Sequence, residues 1–216
     1  MSFTLVWSDG LAWSFSARTT VKNAVHYHAR VEHQLKQNVY ILRTIPSGLE
    51  PSTQVVLKMA RDAGEVAALE LEARFYANEL KTLQGTFVPF FYGIYHGVVY
   101  GVPVACMLLE YCTEGKYRSS PEEKNRRVMV AACALHQGKF AFEWQDLRTL
   151  TCLRSAGVMH CDLDNGRQFV LSGRNVKIVD FSVAVPHRCS GATPTLHGTA
   201  PTGCKELLML EERYGI

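Results

Sequence analysis

The sequence lacks most of the features that mark extracellular, membrane or nucleic-acid-binding proteins. No apolar run approaches the roughly 18 residues that suggest a membrane span. The first residues, MSFTLVWSDG, lack the basic start and apolar core of a secretory signal. The seven cysteines include no CxxC pair, and the net charge is only +3. We therefore expect a protein of the reducing cytoplasm or nucleus, with no membrane or nucleic-acid partner.

Glycine is absent between positions 12 and 46. A glycine-rich loop that covers nucleotide phosphates needs this residue, so no such loop is expected there. The composition that is present is ordinary, with 47% hydrophobic and 20% charged residues among 216. This length and balance predict one globular domain that is large enough to bury a substantial core.

The most informative segment, residues 155–185, reads SAGVMHCDLDNGRQFVLSGRNVKIVDFSVAV. It contains His160 and Asp162 in an H-x-D-L pattern, then two apolar strands separated by a turn. The second strand ends at Asp180. Two aspartates at the ends of neighbouring strands suit phosphoryl transfer, in which one steers the acceptor hydroxyl and the other holds Mg²⁺. The alternative is a buried hairpin whose aspartates lie exposed at the turns.

A lysine embedded in an apolar strand lies upstream, in the run VVLKMA at positions 55–60. Burying the ammonium of Lys58 is costly unless it finds an anion. The amphipathic segment 65–83 follows, and its apolar spacing predicts a helix. We expect Glu72 on this helix to pair with Lys58, with Glu65 and Glu70 as the alternatives.

Two more strands are predicted at positions 87–96 and 98–111, separated by Gly97. The second ends in the sequence LLEYC. Taken alone, this pattern is that of a plain β-hairpin.

In this order, the lysine strand, the helix glutamate, H-C-D-L and D-F-S resemble the V-A-I-K, H-R-D and D-F-G motifs of the protein-kinase-like superfamily. The sequences FYG-x-YHG, LLEYC and DFSVAVPHRC are similar to those of small, atypical, fungal kinase-like proteins. The resemblance implies an α+β, two-lobe fold, with an antiparallel sheet plus one helix in the N-lobe and a reduced, mainly helical C-lobe. The implied boundaries make 1–216 a single domain, with an uncertain extension at 1–38, an N-lobe and hinge at 39–112, a short C-lobe at 113–216, and a candidate insertion at about 138–154.

The resemblance also implies a site for ATP and Mg²⁺. Asp162 and His160 would be catalytic, and Asp180 would bind the metal with Gln168 or Asn165. The implied nucleotide-binding residues are Lys58, Glu72, Leu109, Glu110 and Cys112. The implied function is an ATP-dependent phosphotransferase whose acceptor is a protein or a small molecule.

Several departures favour a second hypothesis, a pseudokinase that acts as a nucleotide-binding or protein-interaction scaffold. The arginine of H-R-D is Cys161 here, and the position counted for the catalytic-loop asparagine falls on Arg167. A zinc site is a further alternative, although the spacing of its candidate ligands matches no known finger. Those candidates are His187, Cys189, His197 and Cys204.

Overall fold

The computed structural model describes residues 2–7, 9–17, 26–45, 52–112, 120–136, 156–173, 175–188 and 204–214. These form two compact units. The first, here called the barrel unit, comprises Met1–Arg74 and Phe90–Tyr111. The second unit comprises Phe75–Pro89 and Cys112–Ile216.

The barrel unit is a closed barrel of seven strands. Their order around the barrel is β1-β2-β6-β7-β5-β4-β3. The pair β1–β3 is parallel and the other neighbouring pairs are antiparallel. The strands are β1 (Ser2–Val6), β2 (Ala12–Ala17), β3 (His26–Lys36), β4 (Val39–Ile45), β5 (Gln54–Ala60), β6 (Phe91–Val99) and β7 (Val102–Glu110).

Alternating side chains fill the barrel. In β1, Phe3 and Leu5 are buried while their neighbours are half-buried. In β5, Val55, Leu57 and Met59 enter the same core. Successive side chains of a strand point to opposite faces, so this period of two is what a sheet with one packed face requires.

A tight turn of two residues joins β6 and β7. The β6–β7 turn consists of Tyr100 and Gly101, which have φ angles of 50° and 78°. Positive φ at both central residues is the conformation that matches the twist of a two-residue hairpin. The sequence-based division of these strands at Gly97 is wrong, because Gly97 lies inside β6 and pairs with Phe15.

Gly97 is needed for close packing rather than for a turn. A Cβ added there would lie 2.6 Å from the Phe15 ring and 2.7 Å from the backbone oxygen of Ser14. Only glycine lets β2 and β6 approach this closely.

The helix after β5 is shorter than predicted. The helix α1 spans Ala63–Ala77, and a separate 3₁₀ turn spans Lys81–Leu83. Asp62 caps the start of α1, because its carboxylate accepts the backbone N–H of Glu65 at 2.8 Å.

The second unit combines two helices with two small ladders, in which β9 pairs with β10 and β8 with β11. Ser120 caps α2 by accepting the N–H of Glu123, and Pro121 occupies the first turn. The elements are α2 (Pro121–Leu135), β8 (Val158–Met159), β9 (Phe169–Ser172), β10 (Asn175–Ile178), β11 (Val185–Pro186) and α3 (Lys205–Tyr214).

This architecture contradicts the predicted protein-kinase-like, two-lobe fold with an N-lobe sheet and a mainly helical C-lobe. The chain is mostly β, with a closed seven-stranded barrel and three α-helices in the described part. Residues 1–38, which the sequence predicts as an uncertain extension, supply β1, β2 and β3. Together with these three, the four strands within residues 39–112 form the seven-stranded barrel.

Two further observations complete the description. The candidate insertion at 138–154 lies outside the described residues. Across the described ranges, no helix is both long enough and apolar enough to cross a membrane.

Candidate functional site

Lys58 lies on the outer face of β5. Its neighbours Leu57 and Met59 point into the barrel core, so alternation directs Lys58 the other way. Its Nζ donates hydrogen bonds to both carboxylate oxygens of Glu72, at 2.7 and 2.9 Å. The side chains are 14% and 2% exposed. The predicted contact between Lys58 and Glu72 is confirmed, while their part in nucleotide binding stays a prediction.

The alternative partners of Lys58 on α1 make other contacts. Glu65 accepts the backbone N–H of Arg61 at 3.0 Å and a side-chain hydrogen bond from Asn38 at 3.3 Å. Glu70 bonds His96 Nε2 at 2.9 Å. Glu72 is the acidic residue of this helix that the barrel unit buries against Lys58.

The predicted adenine-binding residues are divided between the two units. Leu109 is buried in β7 and pairs with Val56 and Phe91. The backbone N–H of Glu110 donates to the Phe90 carbonyl at 2.9 Å, and its carboxylate accepts the N–H of Phe90 at 3.0 Å. Cys112 belongs to the second unit and is half-buried. Contacts of these residues with a nucleotide stay predictions.

Asp162 is the centre of a polar cluster in the second unit. Its Oδ1 accepts a hydrogen bond from Asn165 Nδ2 at 3.1 Å. Its Oδ2 accepts one from Gln168 Nε2. Both amides come from the loop that precedes β9, and together they fix the plane of the carboxylate.

The two amides differ in what their oxygen atoms do. Oδ1 of Asn165 accepts the backbone N–H of Arg167 at 2.8 Å. Oε1 of Gln168 is buried, and it has no hydrogen-bond partner among the residues that the structure describes. A buried amide oxygen without a donor is costly, so Gln168 is a better candidate than Asn165 for holding a cation.

Asp180 directly follows a backbone contact with this cluster. The N–H of Val179 donates to the carbonyl of Gln168 at 3.0 Å. Asp180 then takes a positive φ of 71°, a region that aspartate enters more readily than most side chains. The end of β10 is therefore held in a strained but well-anchored conformation, of the kind that recurs at functional sites.

His160 anchors the segment that bears Asp180. Its Nε2 donates to the Val179 carbonyl at 3.0 Å, and its ring lies 4.8 Å from that of Phe181. Burial lowers the pKa of His160 below its usual value despite the opposing effect of the Val179 hydrogen bond. A neutral, fully buried ring is suited to positioning this loop, and a catalytic role for His160 stays a prediction.

Sequence reasoning missed Glu206, which supports the same region. Its carboxylate accepts the backbone N–H of His160 at 3.1 Å and that of Cys161 at 2.7 Å. It also accepts a hydrogen bond from His136 Nε2 at 2.9 Å. Burial alone raises the pKa of Glu206, but these hydrogen bonds outweigh burial and lower it. The φ of Cys161 is 67°, a positive value that is unfavourable for a residue other than glycine. The hydrogen bond from its backbone N–H to Glu206 helps to hold this conformation.

No sequence signal connects Glu206 with its partners. The residue lies 70 positions from His136 and 46 from His160. A contact across such separations depends on the tertiary fold, which local patterns do not encode.

Comparison with known proteins gives no family to which these residues can be assigned. No family model matches the chain, and no similar curated protein is found. The resemblance to the protein-kinase-like superfamily is therefore unsupported by similarity, and the closed barrel contradicts its fold. The chemistry of the site has to be argued from its side chains.

Proposed function

We propose that this protein is an ATP-dependent phosphotransferase whose acceptor-binding carboxylate is Asp162. The observation that supports this most is the fixed orientation of that carboxylate between the amides of Asn165 and Gln168. A preorganised carboxylate can orient an acceptor hydroxyl and take its proton with little rearrangement. The acceptor stays open between a protein and a small molecule.

The donor set of the second unit fits Mg²⁺. This ion prefers oxygen ligands and usually takes only one or two from protein carboxylates. We assign the Asp180 carboxylate and the buried Oε1 of Gln168 to it. When bound, Mg²⁺ neutralises charge on the phosphates of ATP.

In the barrel unit, Lys58 is the cation that we propose for binding phosphate. Glu72 holds its ammonium through two hydrogen bonds. A lysine fixed by a buried carboxylate loses less side-chain entropy when it binds an anion than a mobile one does. Leu109, Glu110 and Cys112 are the candidates for binding adenine.

A specific observation favours the second candidate function, a nucleotide-binding or protein-interaction scaffold without catalysis. Both oxygens of Asp162 already accept side-chain hydrogen bonds. These bonds leave the carboxylate fewer lone pairs for orienting an acceptor hydroxyl. The two functions are distinguished by whether bound ATP is consumed.

We also propose that the protein resides in the cytosol or nucleus. Five cysteines of the described ranges are thiols rather than disulfides. Structural disulfides are rare in those compartments and common in secreted proteins.

The first test measures the thermal stability of the purified full chain with and without Mg·ATP. A ligand at a hundredfold excess over its Kd stabilises the folded state by about 2.7 kcal/mol. We expect such a shift in the wild type, and we expect Asp180→Ala to lose its Mg²⁺-dependent part. Asp164→Asn is the control, because Asp164 is an exposed carboxylate of the second unit, in the loop between β8 and β9.

The second test measures turnover. Asp162→Asn should lower kcat far more than it weakens ATP binding, because the proposed role of this residue is toward the acceptor. ATP binding without transfer or hydrolysis would support the scaffold function instead. No stabilisation at millimolar Mg·ATP would reject both nucleotide-based functions.

A further inference from the structure

Three side chains with metal-binding atoms converge in the second unit, and none of them is a residue assigned to Mg²⁺. They are His136, His187 and Cys204, and their ligand atoms all lie within 4.8 Å of one another. The first ends α2, the second follows β11, and the third precedes α3. Donors this close need only small side-chain movements to reach a single ion.

The spacing of one pair already matches a metal site. Cys204 Sγ lies 3.4 Å from His136 Nδ1. Tetrahedral zinc, with bonds of about 2.3 Å to sulfur and 2.0 Å to nitrogen, places those two atoms roughly 3.5 Å apart. Both residues are almost completely buried: His136 is 0% exposed and Cys204 is 2% exposed.

The hydrogen bonds of His136 give its two ring nitrogens different roles. Its Nε2 contacts Glu206 Oε2 at 2.9 Å. Both carboxylate oxygens of Glu206 already act as acceptors for the backbone N–H groups of His160 and Cys161, so His136 Nε2 is the donor in this contact. The lone pair of His136 is then on Nδ1, where it accepts a hydrogen bond from the thiol of Cys204.

Glu206 therefore stands where metal sites commonly have a supporting carboxylate. A histidine ligand usually donates its other N–H to a carboxylate, which fixes the ring and raises its basicity. Glu206 is itself fixed by the backbone N–H groups of His160 and Cys161.

An unsatisfied buried nitrogen supplies an independent argument. Nε2 of His187 is shielded from solvent and has no hydrogen-bond partner within the described part of the chain. Its ring lies 5.3 Å from that of His136. A buried nitrogen of this kind is costly unless it binds something, and a metal ion is a partner that all three donors share.

We propose that His136 Nδ1, His187 Nε2 and Cys204 Sγ bind one Zn²⁺ ion, with Glu206 as a positioning residue. Mixed nitrogen and thiolate donors favour zinc over Mg²⁺ or Ca²⁺. The fourth coordination position is left to water or a further donor. Binding releases the thiol proton of Cys204 to solvent, because the thiolate is the form that coordinates zinc.

The sequence had suggested only part of this set. His187 and Cys204 were among the four zinc candidates, whereas Cys189 and His197 lie outside the described residues. His136 was missed because it lies 68 positions from Cys204.

The test uses the purified full chain, reduced, free of any affinity tag and stripped of metal by chelation. Titration with Zn²⁺ should reach one equivalent. Titration with Co²⁺ should give the visible absorption of a tetrahedral ion and a near-ultraviolet thiolate charge-transfer band. Cys204→Ser should lose the charge-transfer band, and His187→Ala should weaken binding at least tenfold while remaining folded by circular dichroism.

Two further variants make the assignment specific. Glu206→Gln should weaken zinc binding about 10- to 100-fold, as loss of a supporting hydrogen bond does in other metal sites. Cys161→Ser is the matched control and should bind as the wild type does, because its side chain is exposed and outside the cluster. A wild type that binds no Zn²⁺, or a charge-transfer band that survives in Cys204→Ser, would overturn the proposal.

Discussion

The Lys58–Glu72 pair allows a quantitative test of how the barrel unit holds its buried charge. We consider Lys58→Met, Glu72→Leu and the double variant. Each substitution replaces a charged side chain by an apolar one of similar length. In the wild type the two groups share two hydrogen bonds and are 14% and 2% exposed.

The single variants should be strongly destabilised. Removing one member of a buried ion pair costs about 3–5 kcal/mol, because the remaining charge is not returned to water. Glu72→Leu should fall near the lower figure, since the Lys58 side chain keeps some exposure. Lys58→Met should fall near the upper figure, because the Glu72 side chain is only 2% exposed.

The double variant should recover most of the loss. Two apolar side chains at these positions can pack together, and such replacements are commonly neutral or stabilising. We expect a free energy of unfolding within about 1 kcal/mol of the wild type, which makes the coupling between the two sites several kcal/mol.

Urea unfolding, monitored by fluorescence and by circular dichroism, measures the four members of the cycle. The Glu32–Arg43 pair is the control within the same barrel, because Arg43 is 49% exposed and water screens the interaction. Its cycle should show far weaker coupling. Additive losses in the Lys58–Glu72 cycle would refute the inference that the two groups are a coupled buried pair.

Close packing at Gly97 and the different exposure of two cysteine side chains can each be tested. Gly97→Ala should lower the free energy of unfolding by about 1–3 kcal/mol, the usual cost of overpacking. Gly64→Ala is the control: its added Cβ would meet only a side-chain oxygen, at 3.3 Å, and it should be close to neutral in the same urea assay. Native alkylation followed by peptide mass spectrometry should label Cys161 well before Cys106, because the Cys161 side chain is exposed and that of Cys106 is buried. Burial raises the pKa of both thiols, so access decides the order; equal rates would mean that the β7 core is open.

The sequence predicted the parts of the molecule that depend on local pattern. Lys58 lies in an alternating strand and Glu72 on the helix that follows it directly in the chain. Their contact could be predicted because it joins two consecutive elements. The predicted apolar runs between Asp162 and Asp180 also contain the β9–β10 pair, because short apolar runs separated by a turn are a local signal.

The closure of the barrel was not predicted, because it depends on pairs that are far apart in the chain. Phe3 and Leu5 alternate with polar residues and were a usable strand signal. No local pattern indicated that β1 pairs in parallel with β3. Likewise, no local pattern indicated that Gly97 lets β6 pack closely against β2. A resemblance of short motifs then supplied a fold that these long-range pairs contradict.

The candidate site shows the same division. The prediction could name Gln168 and Asn165 as alternatives but could not choose between them. The choice rests on which amide oxygen is already bonded, and this requires the turn at Arg167 to be seen.

The strand order has a consequence for synthesis on the ribosome. When the first sixty residues have emerged, they can form an open sheet in the order β2-β1-β3-β4-β5, with both outer strands unpaired. The hairpin of β6 and β7, at Phe91–Glu110, is the piece that fits between those two strands. Until it is translated, the nascent chain presents two exposed strand edges that can pair with other chains. A chaperone or a slow ribosome would therefore matter most during the roughly fifty residues between the end of β5 at Ala60 and the end of β7 at Glu110.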